Sequence, residues 1–314
     1  MSVKISDIQY KLPKNKISIK KICRRNNWNY KKTVATTGIK FIYLSNKTET
    51  ALSLAIKSCN KLKLNKSSID GLIYVTQSPE YILPSTSCIL QNKLKLKKDI
   101  IAFDINQGCS GFVQALFVAM SFLKTNKFRK ILLICSDTYT KYIKKDNKSC
   151  QTIFSDCASS MIIGKQTFKK TSFIFGTDGS GSNNLIVKNS GSNYKKGLDP
   201  EIFMDGKKVL LFTMSNVPNF IEKILKKNNL RISDIKYFLF HQASKIVLDN
   251  LIRIMKLSKN KVYCNYEKIG NTVSSTIPVI MHDLIKNKKI KKGDKIIICG
   301  FGVGYSIAAG LLEF

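Results

Sequence analysis

Leu72-Ile73-Tyr74-Val75-Thr76-Gln77 and Tyr237-Phe238-Leu239-Phe240-His241-Gln242 are the two stretches that decide the fold of this 314-residue chain. Each is a short apolar run that stops at a polar pair, the pattern of a buried strand ending in a turn. Beyond the first come a helix-like stretch over 89–96, the strand-like Ile100-Ile101-Ala102-Phe103, a long apolar helix over 112–123 and the strand-like Ile131-Leu132-Leu133-Ile134. Beyond the second the order repeats: a helix over 246–255, the strand-like Val262-Tyr263-Cys264-Asn265, a helix over 274–285 and the strand-like Ile296-Ile297-Ile298-Cys299. The spacing repeats as well. Thr76 and His241 are separated by 241 − 76 = 165, and Ile131 and Ile296 by 296 − 131 = 165. One offset shared by two anchors points to an internal duplication. The expected fold is α/β, with two related halves, 1–165 and 166–314, packing their sheets around shared helices as a layered sandwich. The Gly/Ser/Asn-rich stretch Thr177 to Asn184 reads as a loop near the boundary.

Composition narrows the class. A hydrophobic fraction of 44% is ordinary for a globular protein, and no window offers the ~18 uninterrupted apolar residues of a spanning helix. The start, MSVKISDIQYKLP, alternates like a first strand and lacks the apolar run of a secretory signal, so the expected compartment is the cytoplasm. Fifty-three Lys+Arg against twenty Asp+Glu give +33. A charge of that size invites a nucleic-acid reading, but the excess is almost all Lys, is spread along the chain and comes with abundant Asn and Ile, as an AT-rich genome would produce. No basic–aromatic nucleic-acid motif accompanies it. A positive surface also suits an acidic carrier protein or a phosphate-bearing thioester. The nine cysteines form no CxxC pair and no zinc-spaced Cys/His cluster, so no metal is expected, and reduced, mostly buried thiols are, with Cys135 and Cys299 inside strands.

Three positions could carry chemistry. Cys109, in Gly108-Cys109-Ser110-Gly111, falls where a strand gives way to an apolar helix. A thiol in the first turn of that helix would feel the positive end of its dipole and favour thiolate, although a buried, inert Cys fits the position equally. Only two histidines exist. His282 sits in a helical pattern and is expected to be solvated or half-buried without a role, whereas His241 follows a strand's carboxyl end, where α/β sheets place ligand-handling groups. A hydrogen-bonded core His is the competing reading there. Asn271, in Gly270-Asn271-Thr272, mirrors the Cys109 turn in the second half, and an Asn at such a place is ordinarily an N-cap. Cys299-Gly300-Phe301-Gly302-Val303-Gly304 has the glycines of a phosphate loop but no following helix with GK[ST].

Together these residues resemble ketoacyl-ACP synthase III, along the whole chain. The family's Cys, His and Asn match Cys109 in Gly-Cys-Ser-Gly, His241 in His-Gln-Ala and Asn271 in Gly-Asn-Thr. Thr37-Gly38-Ile39, Pro84-Ser85-Thr86 and the loop from Gly300 to Gly304 match further family motifs. The resemblance implies a thiolase-like α/β/α/β/α sandwich and a decarboxylating Claisen condensation of an acyl thioester, carried on Cys109, with malonyl-ACP. It implies that His241 and Asn271 bind the malonyl carbonyl and that the backbone N–H groups of Cys109 and Gly304 form an oxyanion hole. It further implies a homodimer in which Leu83 enters the partner's pocket, acyl carrier protein as a partner, coenzyme A thioesters as possible donors, and no metal or redox cofactor.

Some positions depart from the family. Thr36 stands where members using CoA starters carry an Arg that contacts the adenine. The glycine-rich Phe-Gly-Asp-Gly-Ala-Gly-Ala reads Phe154-Ser155-Asp156-Cys157-Ala158-Ser159-Ser160, and Gly-Gly-Gly reads Gly302-Val303-Gly304. Such changes suit relatives that serve specialised acyl chains. The nearest rival activity is acyl transfer to an amine or hydroxyl without decarboxylation, and a more distant one is a non-catalytic subunit on the same scaffold.

Overall fold

A computed structural model describes residues 7–314. Its strands, in chain order, are β1 (Ile8–Lys11), β2 (Asn15–Ser18), β3 (Phe41–Leu44), β4 (Gly71–Val75), β5 (Ile101–Ile105), β6 (Lys130–Asp137), β7 (Cys157–Gly164), β8 (Lys170–Thr177), β9 (Leu185–Lys188), β10 (Glu201–Met204), β11 (Tyr237–Phe240), β12 (Lys295–Gly302) and β13 (Ser306–Glu313). The helices are α1 (Ile19–Arg25), α2 (Tyr30–Thr37), α3 (Ala51–Cys59), α4 (Thr86–Lys93), α5 (Gly111–Lys124), α6 (Lys148–Gln151), α7 (Gly206–Lys227), α8 (Lys245–Ile254), α9 (Tyr266–Ile269) and α10 (Thr276–Lys286). Of the stretch read as a first strand, residues 8–11 form β1 and residues 1–6 lie outside the described residues.

Two sheets organise the molecule, one in the order β1-β7-β6-β4-β5 and the other β11-β12-β13-β8. In each, a parallel pair (β4 with β6, β11 with β12) is extended by antiparallel neighbours. The register nearly repeats. Gly71 faces Ile131, a spacing of 131 − 71 = 60, and Tyr237 faces Ile296, a spacing of 296 − 237 = 59. The expected strand at 262–265 does not form: Val262 makes one isolated bridge to Phe238, and the backbone then leaves the sheet. The second sheet therefore lacks a counterpart of β5. One physical reason is local: Gln242 uses its side chain to bond the Tyr263 carbonyl and the Asn265 N–H, groups a strand would pair along a ladder.

Side-chain alternation on β6 builds the layers. Ile131, Leu133 and Cys135 point into a core shared with Phe112, Leu116 and Met120 of α5, Ile277, Ile280 and Met281 of α10, and Leu239 and Ile298 of the second sheet. Leu132 and Ile134 point the other way, onto α3 and α4. On the far side, α7 and α8 cover the second sheet through Val217, Ile221, Leu248 and Leu251. Helices α5 and α10 thus form the middle layer of an α/β/α/β/α stack, which is why both begin at the seam between the sheets. Each fully buried Leu, Ile or Phe in that layer contributes about 1.5–3 kcal/mol. Cys135 and Cys299 are buried in β6 and β12 as expected, while Cys88 and Cys264 are exposed. Among the described residues no helix is long and apolar enough to cross a membrane.

Candidate active site

Strand β5 ends at Ile105, and the turn over 106–110 delivers Cys109 to the seam just before Ser110, the N-cap of α5. The Gly111 N–H bonds the Gly108 carbonyl at 2.8 Å, and a Cβ on Gly111 would stand 2.6 Å from Val75 Cγ1, so the turn presses onto β4. The expectation of a thiolate favoured by the helix start is not met. Cys109 precedes the N-cap rather than joining the first turn, is only 4% exposed, and burial pushes its thiol up to about 12, with the Asp137 carboxylate acting in the same direction. Hydrogen bonds from the Val303 and Cys109 N–H groups oppose this and do not offset it. From the glycine loop the amide of Val303 reaches the sulfur. Gly302 comes closest of all, since a Cβ there would lie 3.1 Å from Cys109 Sγ.

His241 follows β11, its N–H bonded to the Cys299 carbonyl at 2.8 Å, and is 1% exposed. Nδ1 lies 2.8 Å from Thr276 Oγ1, which itself donates to the Val273 carbonyl at 3.1 Å. That chain of acceptors puts the ring proton on Nδ1 and leaves the Nε2 lone pair facing Asn271 Nδ2 at 3.3 Å. Burial holds the imidazole neutral, lowering its pKa to about 3. Asn271 is not an N-cap, since Thr272 precedes the 273–275 turn and Ser275 caps α10. Its Oδ1 accepts from the Val273 N–H at 2.9 Å, an Asx turn at the approach to α10, and this fixes Nδ2 toward the imidazole. Its backbone bonds Ile153 and Ser155, both at 2.9 Å, so the second half's turn is tied into the first half.

Cys109, His241 and Asn271 line one cavity of about 320 Å³ with Thr36, Phe154 and Lys207 also in its wall. Leu83 stands elsewhere, 80% exposed beside exposed Ile82 and Tyr81. His282 is buried in α10 with its ring edge-on to Tyr10, and takes no part in the cavity.

Comparison with known proteins follows this geometry. The family model for 3-oxoacyl-[acyl-carrier-protein] synthase III matches residues 103–180 and its C-terminal model residues 225–314. The beta-ketoacyl-[acyl-carrier-protein] synthase III of Clostridium novyi is 32% identical across 100% of this chain and 99% of its own. That of Clostridioides difficile is 32% identical over 88% of each chain. The chain belongs to the 3-oxoacyl-[acyl-carrier-protein] synthase III family. A crystal structure of a 3-oxoacyl-(acyl-carrier-protein) synthase III superposes with a TM-score of 0.95 at 33% identity over 99% of both chains, and the synthase from Burkholderia xenovorans superposes at 0.90 with 29% identity over 98% of this chain and 92% of its own. The layered stack is accordingly the thiolase fold of this synthase III family.

Several residues of the synthase III site lie outside any motif in the sequence. Thr276 sets the tautomer of His241 from the first turn of α10, and a hydroxyl at that position carries no signal that separates it from a helix-start Thr. Asp137, at the end of β6, accepts from the Gln77 N–H at 2.8 Å and from the Ser274 hydroxyl, and burial raises its pKa to about 6. It holds the Gln77 turn and the 273–275 turn against each other across the seam. Gln77, at the end of β4, was visible as the mirror of Gln242, but its orientation toward Tyr139 was not.

Proposed function

We propose that the protein catalyses a decarboxylating condensation between an acyl group held on Cys109 and a malonyl thioester, the activity its synthase III relatives are named for. What carries the reading is the arrangement in one cavity of a thiol, a neutral imidazole and an amide N–H pinned toward it. In the first step Cys109 Sγ attacks the thioester carbonyl. A new S–C bond forms, the donor's C–S bond breaks, and the thiol proton passes by way of His241 Nε2 to the departing thiolate. The Nε2 lone pair supports the acceptor role, and burial, which disfavours the imidazolium, favours prompt release of the proton. The Val303 and Cys109 N–H groups that face the sulfur support an oxyanion hole beside it.

In the second step the malonyl thioester loses carbon dioxide, and the bonding pair left behind makes an enolate. Asn271 Nδ2, whose other N–H faces His241 Nε2, supplies one donor to its oxygen. His241 is the second donor in its Nε2–H tautomer, reached when the Nδ1 proton is exchanged through solvent for one on Nε2 and the Thr276 hydroxyl then turns to donate to Nδ1. The enolate carbon attacks the acyl carbonyl, the C–S bond to Cys109 breaks, and a β-ketoacyl thioester leaves. Both steps are carbonyl chemistry and call for no metal or redox group. Acyl carrier protein is the partner this reading assigns, and the charge of +33 suits an acidic one. The exposed apolar trio Tyr81, Ile82 and Leu83 supports a homodimer that covers it. The nine free cysteines suit the cytoplasm.

Incubation with acyl-CoA and acyl-carrier thioesters, followed by intact-mass measurement, should show one acyl group on Cys109 that discharges, with loss of carbon dioxide, when malonyl-carrier protein is added. An adduct that ignores malonyl and discharges to an amine or hydroxyl would replace condensation by simple acyl transfer. No adduct from any donor would remove both.

A further inference from the structure

Behind the nucleophile lies a second cavity of about 320 Å³, whose wall includes Gln77, Asn106, Tyr139, Leu185, Val303 and Gly304. It adjoins Cys109 closely. Leu185 lines both cavities, Tyr139 and Leu185 pack in the same cluster as Cys109, and Val303 N–H reaches the sulfur. A Cβ on Gly108, the residue before the nucleophile, would stand 2.5 Å from Gln77 Oε1, 2.7 Å from Val303 Cγ1 and 3.2 Å from Tyr139 Oη. The first cavity, with His241 and Asn271, must stay open for the incoming malonyl thioester. The acyl group on Cys109 therefore belongs in the second.

That second cavity has one apolar side and one polar side. Leu185, Val187 and Ile202 offer an alkyl surface, and in the same lining Tyr139 donates to Gln77 Oε1 while Gln77 Nε2 donates to Asn106 Oδ1 at 3.1 Å. The chain of bonds leaves Asn106 Nδ2 without a partner among the described residues. It also leaves one Gln77 N–H and the Tyr139 oxygen lone pairs to be met by whatever fills the space. The Gln77 backbone is held by its N–H on Asp137, and its side-chain amide by Tyr139 and Asn106. A plain alkyl chain would strip water from these groups and return nothing.

We propose that the acyl group loaded on Cys109 is a short chain bearing a hydroxyl, which the Gln77–Asn106–Tyr139 wall holds by hydrogen bonds. The inference rests on Cys109 as the acyl carrier and goes beyond it by naming the class of starter.

The test compares 3-hydroxybutyryl, as each enantiomer, with butyryl and acetyl thioesters, all offered both on coenzyme A and on acyl carrier protein. The rate of Cys109 adduct formation is read by intact mass. One enantiomer of the hydroxyacyl group should load about threefold to tenfold faster than butyryl on the same donor, the net worth of a hydrogen bond to a partly exposed group. Asn106→Leu and Gln77→Met should each slow hydroxybutyryl loading by about tenfold and leave butyryl loading equal or faster. Asn106 is exposed, so its variant tests the wall even where Gln77→Met disturbs the fold. Butyryl loading as fast as either hydroxybutyryl enantiomer would overturn the proposal while leaving Cys109 as the acyl carrier. Variants that slow all starters alike would also overturn it. Absence of any adduct would overturn the condensing reading itself.

Discussion

Gly300 on β12 supports the nucleophile from behind, and the consequence of Gly300→Ala can be worked from the structure. A Cβ there would lie 2.4 Å from the Cys109 carbonyl oxygen and 2.7 Å from Ser110 Cα, both backbone atoms. Ordinary contact begins at 3.4 Å, so about 3.4 − 2.4 = 1.0 Å of movement is required. Strand β12 cannot supply it, because Gly300 pairs with Ala308 on one side and Cys299 lies against Phe240 on the other. The turn carrying Cys109 must move instead, away from the Val303 N–H. Overpacking of this kind costs about 1–3 kcal/mol of stability, which in a chain this long lowers the melting temperature by several degrees at most. The loss of rate should be far larger, roughly 10²-fold in acylation of Cys109, because about 1 Å of misplacement is costly at a reacting atom. The assay pairs thermal unfolding with the time course of the acyl adduct by mass. Gly179→Ala is the control, since nothing lies within 4 Å of a Cβ there. Gly300→Ala with wild-type acylation would refute the claim that this contact sets the position of the thiol.

The two partners of Cys109 should separate in their effects. Asn271→Ala should load acyl groups normally yet discharge them about 10²–10³-fold more slowly to malonyl-carrier protein, so that the adduct accumulates, whereas His241→Ala should slow loading as well. Equal loading defects in both would remove the division of labour. Stability against pH should carry the signature of His241. Its pKa falls from 6.5 in the unfolded chain to about 3 when folded, so the unfolded state binds the extra proton between those values. Stability present above pH 6.5 is then lost as pH falls toward 3, by about 1.4 kcal/mol per unit. Asp137, raised from 3.8 to about 6, acts in the opposite sense: its contribution is present below 3.8 and lost as pH rises through 6. Urea unfolding of wild type and His241→Gln at several pH values isolates the first effect, and parallel stability curves would refute it.

The residues that could be read from sequence were those whose local pattern and chemistry coincide. Cys109, His241 and Asn271 each sit at a strand end or helix start, where chain geometry already limits what the side chain can face, and the structure brings all three to one cavity. Reading failed where the decisive quantity was distance between remote segments. The thiol of Cys109 was expected to be acidic because a helix begins nearby, but the packing of Gly300 and Gly302 against it excludes water, and burial dominates. Val303 N–H, Thr276 Oγ1 and the Gln77–Tyr139 pair depend on contacts across 194, 35 and 62 residues of chain (303 − 109, 276 − 241 and 139 − 77), and no local periodicity reports these. The strand expected at 262–265 failed for a related reason. Its residue types suit a strand, but Gln242 captures its backbone groups.

The offset of 165 lets the two halves be compared position by position around the site. At the offset of 165, Thr76 corresponds to His241, Gln77 to Gln242 and Asn106 to Asn271, since 271 − 106 = 165. In the second half, Gln242 is fully buried and spends its side chain on backbone groups, which frees the neighbouring His241 and the Asn271 amide to face the cavity. In the first half Thr76 turns back to cap the Ser78 N–H at 2.9 Å, and it is Gln77, with Asn106, that faces open space. Each half thus places one polar side chain from its first strand end and one Asn from the next turn in the wall of a cavity, His241 and Asn271 in one and Gln77 and Asn106 in the other. On the side with an imidazole the groups suit an enolate. On the side with two amides and a phenol they suit a hydroxyl that must be held and not ionised. On the proposed reading, the same pair of turns, displaced by one residue in which side chain faces a cavity, furnishes both a reaction centre and a means of choosing what is brought to it.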